Sequence, residues 1–89
     1  MAGKIKARPT PTQDGPMSMK LLGQYVRARR TQAGLRIDDA ALLCGVAKDT
    51  LSRIETGRTT VQVSSVLQVL QQLGINLKVE PWEEETHGA

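Results

Sequence analysis

Between Ala47 and Arg53 the chain reads AKDTLSR, a run of small, hydrogen-bonding and charged side chains at helical spacing. Lys48 and Arg53 are suited to guanine O6 and N7, or to phosphate oxygens. Asp49 has two roles open to it: accepting from cytosine N4, or complementing the positive end of a helix. Ala47 fits a thymine methyl, Ser52 completes the outward set, and Thr50 suits a phosphate contact or a local cap. This is the chemistry of recognition rather than of bond making. The chain offers no paired catalytic carboxylates, no Cys/His pair in a shared element and no phosphate-cradling glycine loop. An enzyme, a metal centre and a cofactor are therefore not expected.

Such side chains read an edge only when a rigid element carries them. The sequence predicts a short helix over about 38–44, a turn at Gly45 and a second helix over about 48–56. Asp38 and Asp39 suit the positive end of the first helix, and Ala40 and Ala41 let another helix approach closely. Gly45 supplies the backbone freedom of a sharp turn, and Val46 follows as an apolar plug. Leu51 and Ile54, three apart, give the second helix one buried stripe and leave Lys48, Asp49, Thr50, Ser52 and Arg53 outward. That is the sequence form of a helix-turn-helix whose second helix enters the DNA major groove. After Gly57, the segment Arg58, Thr59 and Thr60 suits phosphate clamping, with a plain surface turn as the alternative.

The flanking elements close the core. A first helix over about 18–33 has Ser18 as N-cap, the apolar face Leu21, Leu22, Tyr25 and Val26, and Gly34 just beyond its end. Arg27, Arg29 and Arg30 lie in its C-terminal part, where positive charge is favourable. A fourth helix over about 64–73 is expected to start at Ser64, carry the stripe Val66, Leu67, Leu70 and Leu73, and stop at Gly74. Val63 and Val69 add further apolar surface.

Residues 75–80 then alternate apolar and polar, the period of a strand. One strand cannot satisfy its own backbone, and no other convincing strand is present. The economical solution pairs residues 75–79 with the same segment of a second chain across a two-fold axis, until Pro81 ends the ladder. The dimer interface would then comprise Val66, Leu70, Ile75, Leu77 and Val79.

The expected fold class is all-α, a bundle of about four helices with a C-terminal β-strand pairing across a homodimer. Eighty-nine residues without a Phe, and with one Tyr and one Trp, form one small aliphatic core of the kind that gains stability by dimerising. The expected organisation is a disordered arm over 1–17, a DNA-binding and dimerisation domain over 18–80 and an acidic flexible tail over 81–89. The arm carries Lys4, Lys6 and Arg8 and reads as a solvated tail or as a phosphate-reaching segment. The net charge of +3 conceals a basic body and an acidic end holding Glu80, Glu83, Glu84 and Glu85. In that tail Trp82 either folds back on the dimer or docks on a partner protein, and His87 stands alone. Cys44, the only cysteine, reads as a small buried hydrophobe. With no membrane span and no signal-peptide pattern, a soluble, cytoplasmic protein is expected.

Gly34-Leu35, Gly45-Val46, Thr50-Leu51-Ser52-Arg53-Ile54-Glu55 and Gly57 together resemble the Xre/Cro-type helix-turn-helix regulators. The resemblance spans about residues 21–74 and implies a lambda-repressor-like bundle acting on double-stranded DNA, at a palindromic operator. It also implies that Arg30, four residues before a glycine, makes a structural ion pair with Glu55 near the end of the recognition helix. Most members carry Thr-Gln where this chain has Arg36-Ile37, the hydroxyl capping the helix and the glutamine touching phosphate. Ile37 cannot donate, so either Arg36 substitutes or that contact is lost, and Asp38 and Asp39 repel phosphate. The C-terminal strand after VLQVLQQLG is similar to that of HipB-type antitoxins, which implies an autoregulating repressor with a HipA-like kinase toxin as partner. The competing readings are a plain repressor, and a protein–protein adaptor that keeps the fold without DNA binding.

Overall fold

The computed structural model describes residues 5–84; Lys4 of the arm, and Glu85 and His87 of the tail, lie outside them. Four helices are present: α1 (Met19–Gln32), α2 (Ile37–Cys44), α3 (Lys48–Glu55) and α4 (Val63–Leu73). Ser18 caps α1, its hydroxyl accepting from the Leu21 N–H at 3.1 Å. Between α2 and α3 the chain turns in three residues, and Gly45 takes the left-handed conformation at φ 71° that a side chain would oppose.

The core is aliphatic and draws on all four helices. Leu22 and Val26 come from α1, Ala40, Ala41 and Cys44 from α2, Leu51 and Ile54 from α3, and Val66, Val69, Leu70 and Leu73 from α4. Gly23 sets the spacing of α1 and α3. A Cβ there would collide with the backbone carbonyls of Ile54 and Glu55, so the two helices touch backbone to backbone. A glycine in mid-helix lowers helix propensity by about 1 kcal/mol, and the close approach is what it allows.

Three expectations for α4 are corrected. The helix begins at Val63 with Gln62 in the cap position, so Ser64 lies inside the first turn. The Gln62 carbonyl accepts from both Ser65 and Val66, at 3.1 and 3.2 Å. Leu67 is not in the buried stripe: it is 49% exposed, while Val69 is fully buried in its place. At about 100° per residue, Val69 and Leu73 flank Val66 and Leu70, and Leu67 points a quarter-turn away. Val66 and Leu70 are for the same reason buried within the chain rather than offered to a second one. The apolar side chains that α4 leaves outward are Val63 and Leu67.

Beyond α4 the chain is anchored at Ile75, whose N–H reaches the Leu70 carbonyl at 2.8 Å and whose side chain packs on the core. Residues 75–84 form no hydrogen-bonded strand in this single chain, and Leu77, Val79 and Trp82 are exposed. Residues 5–17 have no helix or strand either, but Met17 packs against the core and the segment is tied to the end of α1 by hydrogen bonds. The Arg8 N–H donates to Thr31 Oγ1 at 2.9 Å, and Gln32 Nε2 donates to the Arg8 carbonyl at 2.8 Å and to Thr10 Oγ1 at 2.9 Å.

Candidate nucleic-acid interface

Helix α3 is held from behind and open in front. Leu51 and Ile54 are completely buried, which fixes the rotation of the helix about its axis. Its C-terminal end is held by Arg30, whose Nε and second guanidinium nitrogen reach the two Glu55 carboxylate oxygens at 2.5 and 2.9 Å. The remaining guanidinium nitrogen donates to the Leu35 carbonyl at 2.9 Å. Both side chains are nearly buried, at 11% and 5% exposure. One side chain thereby joins α1, the α1–α2 connection and the last turn of α3, with the forked geometry that suits arginine and carboxylate.

The outward face carries Lys48, Asp49 and Arg53 exposed, with Thr50 and Ser52 half-buried along its flanks. Ala47, in extended conformation before the first turn, is also exposed. Two acids partner the two bases. Lys48 Nζ lies 3.1 Å from Asp38 Oδ1 at the start of α2, and Arg53 Nε lies 3.0 Å from Asp49 Oδ2 one turn earlier. All four side chains are more than half exposed, so water and salt screen both pairs.

The sequence-derived residues fall into two clefts and a rim. Thr50, Arg53 and Thr60 line one cleft with Gln62 and Ser65, between α3 and the start of α4. Arg36 and Ser52 line the other, with Arg27, Asp38, Glu55 and Thr56. Arg58 and Thr59 stand exposed on the loop after α3, where the Arg58 N–H donates to the Arg53 carbonyl at 2.9 Å. Sequence reasoning did not single out Gln62, Ser65, Thr56 or Arg27 as neighbours of these residues, and it treated Asp38 as a repulsive charge rather than the partner of Lys48. No local signal marks them, because each meets its neighbours through folding.

Elsewhere the chemistry is quiet. Burial pushes the Cys44 thiol above its ordinary value, so it stays neutral and inert. Among the described residues, no group of three or more His, Cys, Asp and Glu could hold a metal ion. Nor is any described helix long and apolar enough to cross a membrane.

Two short helices joined by a three-residue turn, the second with an outward polar face, define the helix-turn-helix class of transcriptional regulators. The chain belongs to the helix-turn-helix domain family, whose model matches residues 21–78. It is 38% identical over 58 residues to an uncharacterised HTH-type transcriptional regulator, y4mF, of Sinorhizobium fredii (strain NBRC 101917 / NGR234). That match covers 65% of this chain and 76% of the relative. Among solved structures, a chain of the HipA-HipB-O2-O3 complex superposes with a TM-score of 0.67 at 18% identity, over 80% of this chain and all of that one. At that identity the likeness is one of fold. The restriction-modification controller protein C.AhdI from Aeromonas hydrophila superposes with a TM-score of 0.57 at 28% identity, over 65% of this chain and 88% of that one.

Proposed function

We propose that the protein is a sequence-specific DNA-binding repressor that acts as a homodimer on a palindromic operator. The observation that carries this reading is α3 itself: pinned by Leu51, Ile54 and the Arg30–Glu55 pair, yet bare of protein over Lys48, Asp49 and Arg53. Lys48, Asp49, Ser52, Arg53 and Ala47 are assigned to base edges, and Arg36, Thr50, Arg58, Thr59 and Thr60 to phosphates on either side. The test is selection from a pool of random duplexes. Enrichment of a palindrome with half-sites about one helical turn apart (roughly 34 Å) supports the reading. No enrichment, with no affinity for any duplex at low salt, sinks it and leaves the adaptor.

The second copy joins through residues 75–79. Leu77 and Val79 are exposed, the segment lacks a strand partner in the single chain, and Leu67 is exposed on the adjoining helix. A two-stranded ribbon would cover these side chains and satisfy both backbones at once. Leu77→Asp should convert dimers to monomers in sedimentation; a dimer that persists excludes the ribbon.

In its narrower form the protein is the antitoxin of a HipBA-like pair, repressing its own operon and binding a HipA-like kinase toxin. The likeness of fold to a chain of the HipA-HipB-O2-O3 complex supports this. So does Trp82, an 82% exposed aromatic at the entry to the acidic tail and a suitable anchor for a partner. Copurification with a kinase encoded beside it, lost on removing residues 82–89, is the expected result. Equal recovery without those residues would exclude the tail as the docking segment.

A further inference from the structure

The three C-terminal arginines of α1 have different fates. Arg30 is committed to Glu55, and Arg29 donates to the Leu73 carbonyl at the end of α4, at 2.8 Å. Arg27 makes no ion pair or side-chain hydrogen bond among the described residues and is exposed. It borders two clefts. In one it meets Arg36, Ser52 and Thr56, on the flank of α3, and in the other it meets Arg8 of the arm. Ile5 lines the first cleft as well, so the arm runs from the end of α1 toward the α2–α3 face.

Hydrogen bonds fix the arm at the end of α1, while Met17 packs on the core where the arm meets the helix. The backbone at Arg8 is gripped on both sides, by Thr31 on the N–H and Gln32 on the carbonyl, with a further bond to Thr10. Thr31 is itself buried and bonded to the Arg27 carbonyl at 2.8 Å, which makes the anchor part of α1. The result is a row of cations, Arg8, Arg27 and Arg36, none neutralised by an acid among the described residues. The acids of the first cleft, Asp38 and Glu55, are engaged with Lys48 and Arg30.

We propose that Arg8, Arg27 and Arg36 form a second phosphate-binding surface, separate from the loop after α3. It engages the backbone of the same DNA duplex on the α1 side of the segment that α3 reads. This rests on the DNA-binding reading above. Uncompensated arginines in a row bind a regularly spaced polyanion, releasing about 0.9 counterions for each phosphate neutralised. They carry no sequence information of their own. Thr31 and Gln32 are positioning residues: they fix where Arg8 stands without touching DNA.

The experiment is a salt titration of binding to a 30-base-pair duplex by fluorescence anisotropy. Arg8→Ala and Arg27→Ala should each bind several-fold more weakly, on selected and random sequences alike, and flatten the log–log salt slope by about one unit. Gln32→Ala should reproduce the Arg8→Ala loss although Arg8 is still present. Gln72→Glu lowers the net charge by the same unit at an exposed α4 position that lines neither cleft, and should leave the slope unchanged. The proposal is overturned if Arg8→Ala and Arg27→Ala lose no more than Gln72→Glu, or if Gln32→Ala binds as the unmodified protein does. All four side chains are exposed, and circular dichroism of each variant will show that the fold is kept. Failure of the unmodified protein to bind any duplex would instead overturn the repressor reading and this one with it.

Discussion

The buried and outward sides of α3 carry ion pairs of similar chemistry in opposite surroundings. At the C-terminal end Arg30 and Glu55 are almost sealed from water and share two hydrogen bonds. On the outward face, the Lys48–Asp38 and Arg53–Asp49 pairs have single close contacts and stand largely in solvent. A buried pair cannot exchange partners, because either charge left alone would lack solvation. An exposed pair exchanges freely, since water compensates the charges while they part. The fixed pair gives α3 a position, and the exchangeable pairs leave its bases available to another anion.

The contrast can be broken most sharply at its buried side. Arg30→Ala or Glu55→Ala should lower unfolding free energy by about 3–5 kcal/mol, read by urea denaturation. Replacing both together with Met and Leu should recover most of that loss. A loss no greater than that of an exposed pair would mean that α3 is held by its apolar stripe alone. Next in size is Gly23→Ala, which drives a methyl group into the Ile54 and Glu55 carbonyls. It should cost about 1–3 kcal/mol of stability, the usual range for overpacking. DNA affinity should fall with it, because α3 is displaced.

The outward side should respond in function instead. Lys48→Ala and Arg53→Ala should leave thermal stability nearly unchanged while relaxing sequence preference by about 1–3 kcal/mol per lost base contact. Comparing affinities for the selected duplex and its single-base variants measures this directly. A uniform weakening on all sequences would reassign the two residues to phosphate. Smallest of all should be Asp38→Asn and Asp49→Asn, each within about 1 kcal/mol in stability because the pairs are exposed. A larger change would show that these acids hold α3 in place and would erase the distinction between its two sides.

The elements that could be read in the sequence are those decided over one or two turns. Ser18 caps α1 because its hydroxyl faces an N–H three residues on, and Gly45 turns the chain because of its own backbone. The spacing of Leu51 and Ile54 gave α3 its buried side and hence its outward one. Helix α4 was harder, since six of its eleven residues are Val or Leu and the pattern admits more than one stripe. Contact with the other three helices selected Val69 over Leu67 and turned Val66 and Leu70 inward. The arm was illegible for a different reason. Its composition is poor in apolar residues, and its attachment to the end of α1 uses backbone groups of Arg8 that every sequence shares.

By itself, then, the order of residues determined where helices start, which glycine turns the chain, and that a polar face would follow Val46. Local hydrogen bonds and helical periodicity suffice for those. Only the tertiary structure decided that Asp38 meets Lys48, that Gly23 lets α1 touch α3, and that Arg27 is left over beside Arg8 and Arg36. Such meetings depend on the angle and separation at which whole helices pack. Those quantities are fixed by the shape of the entire core and by no single stretch of chain.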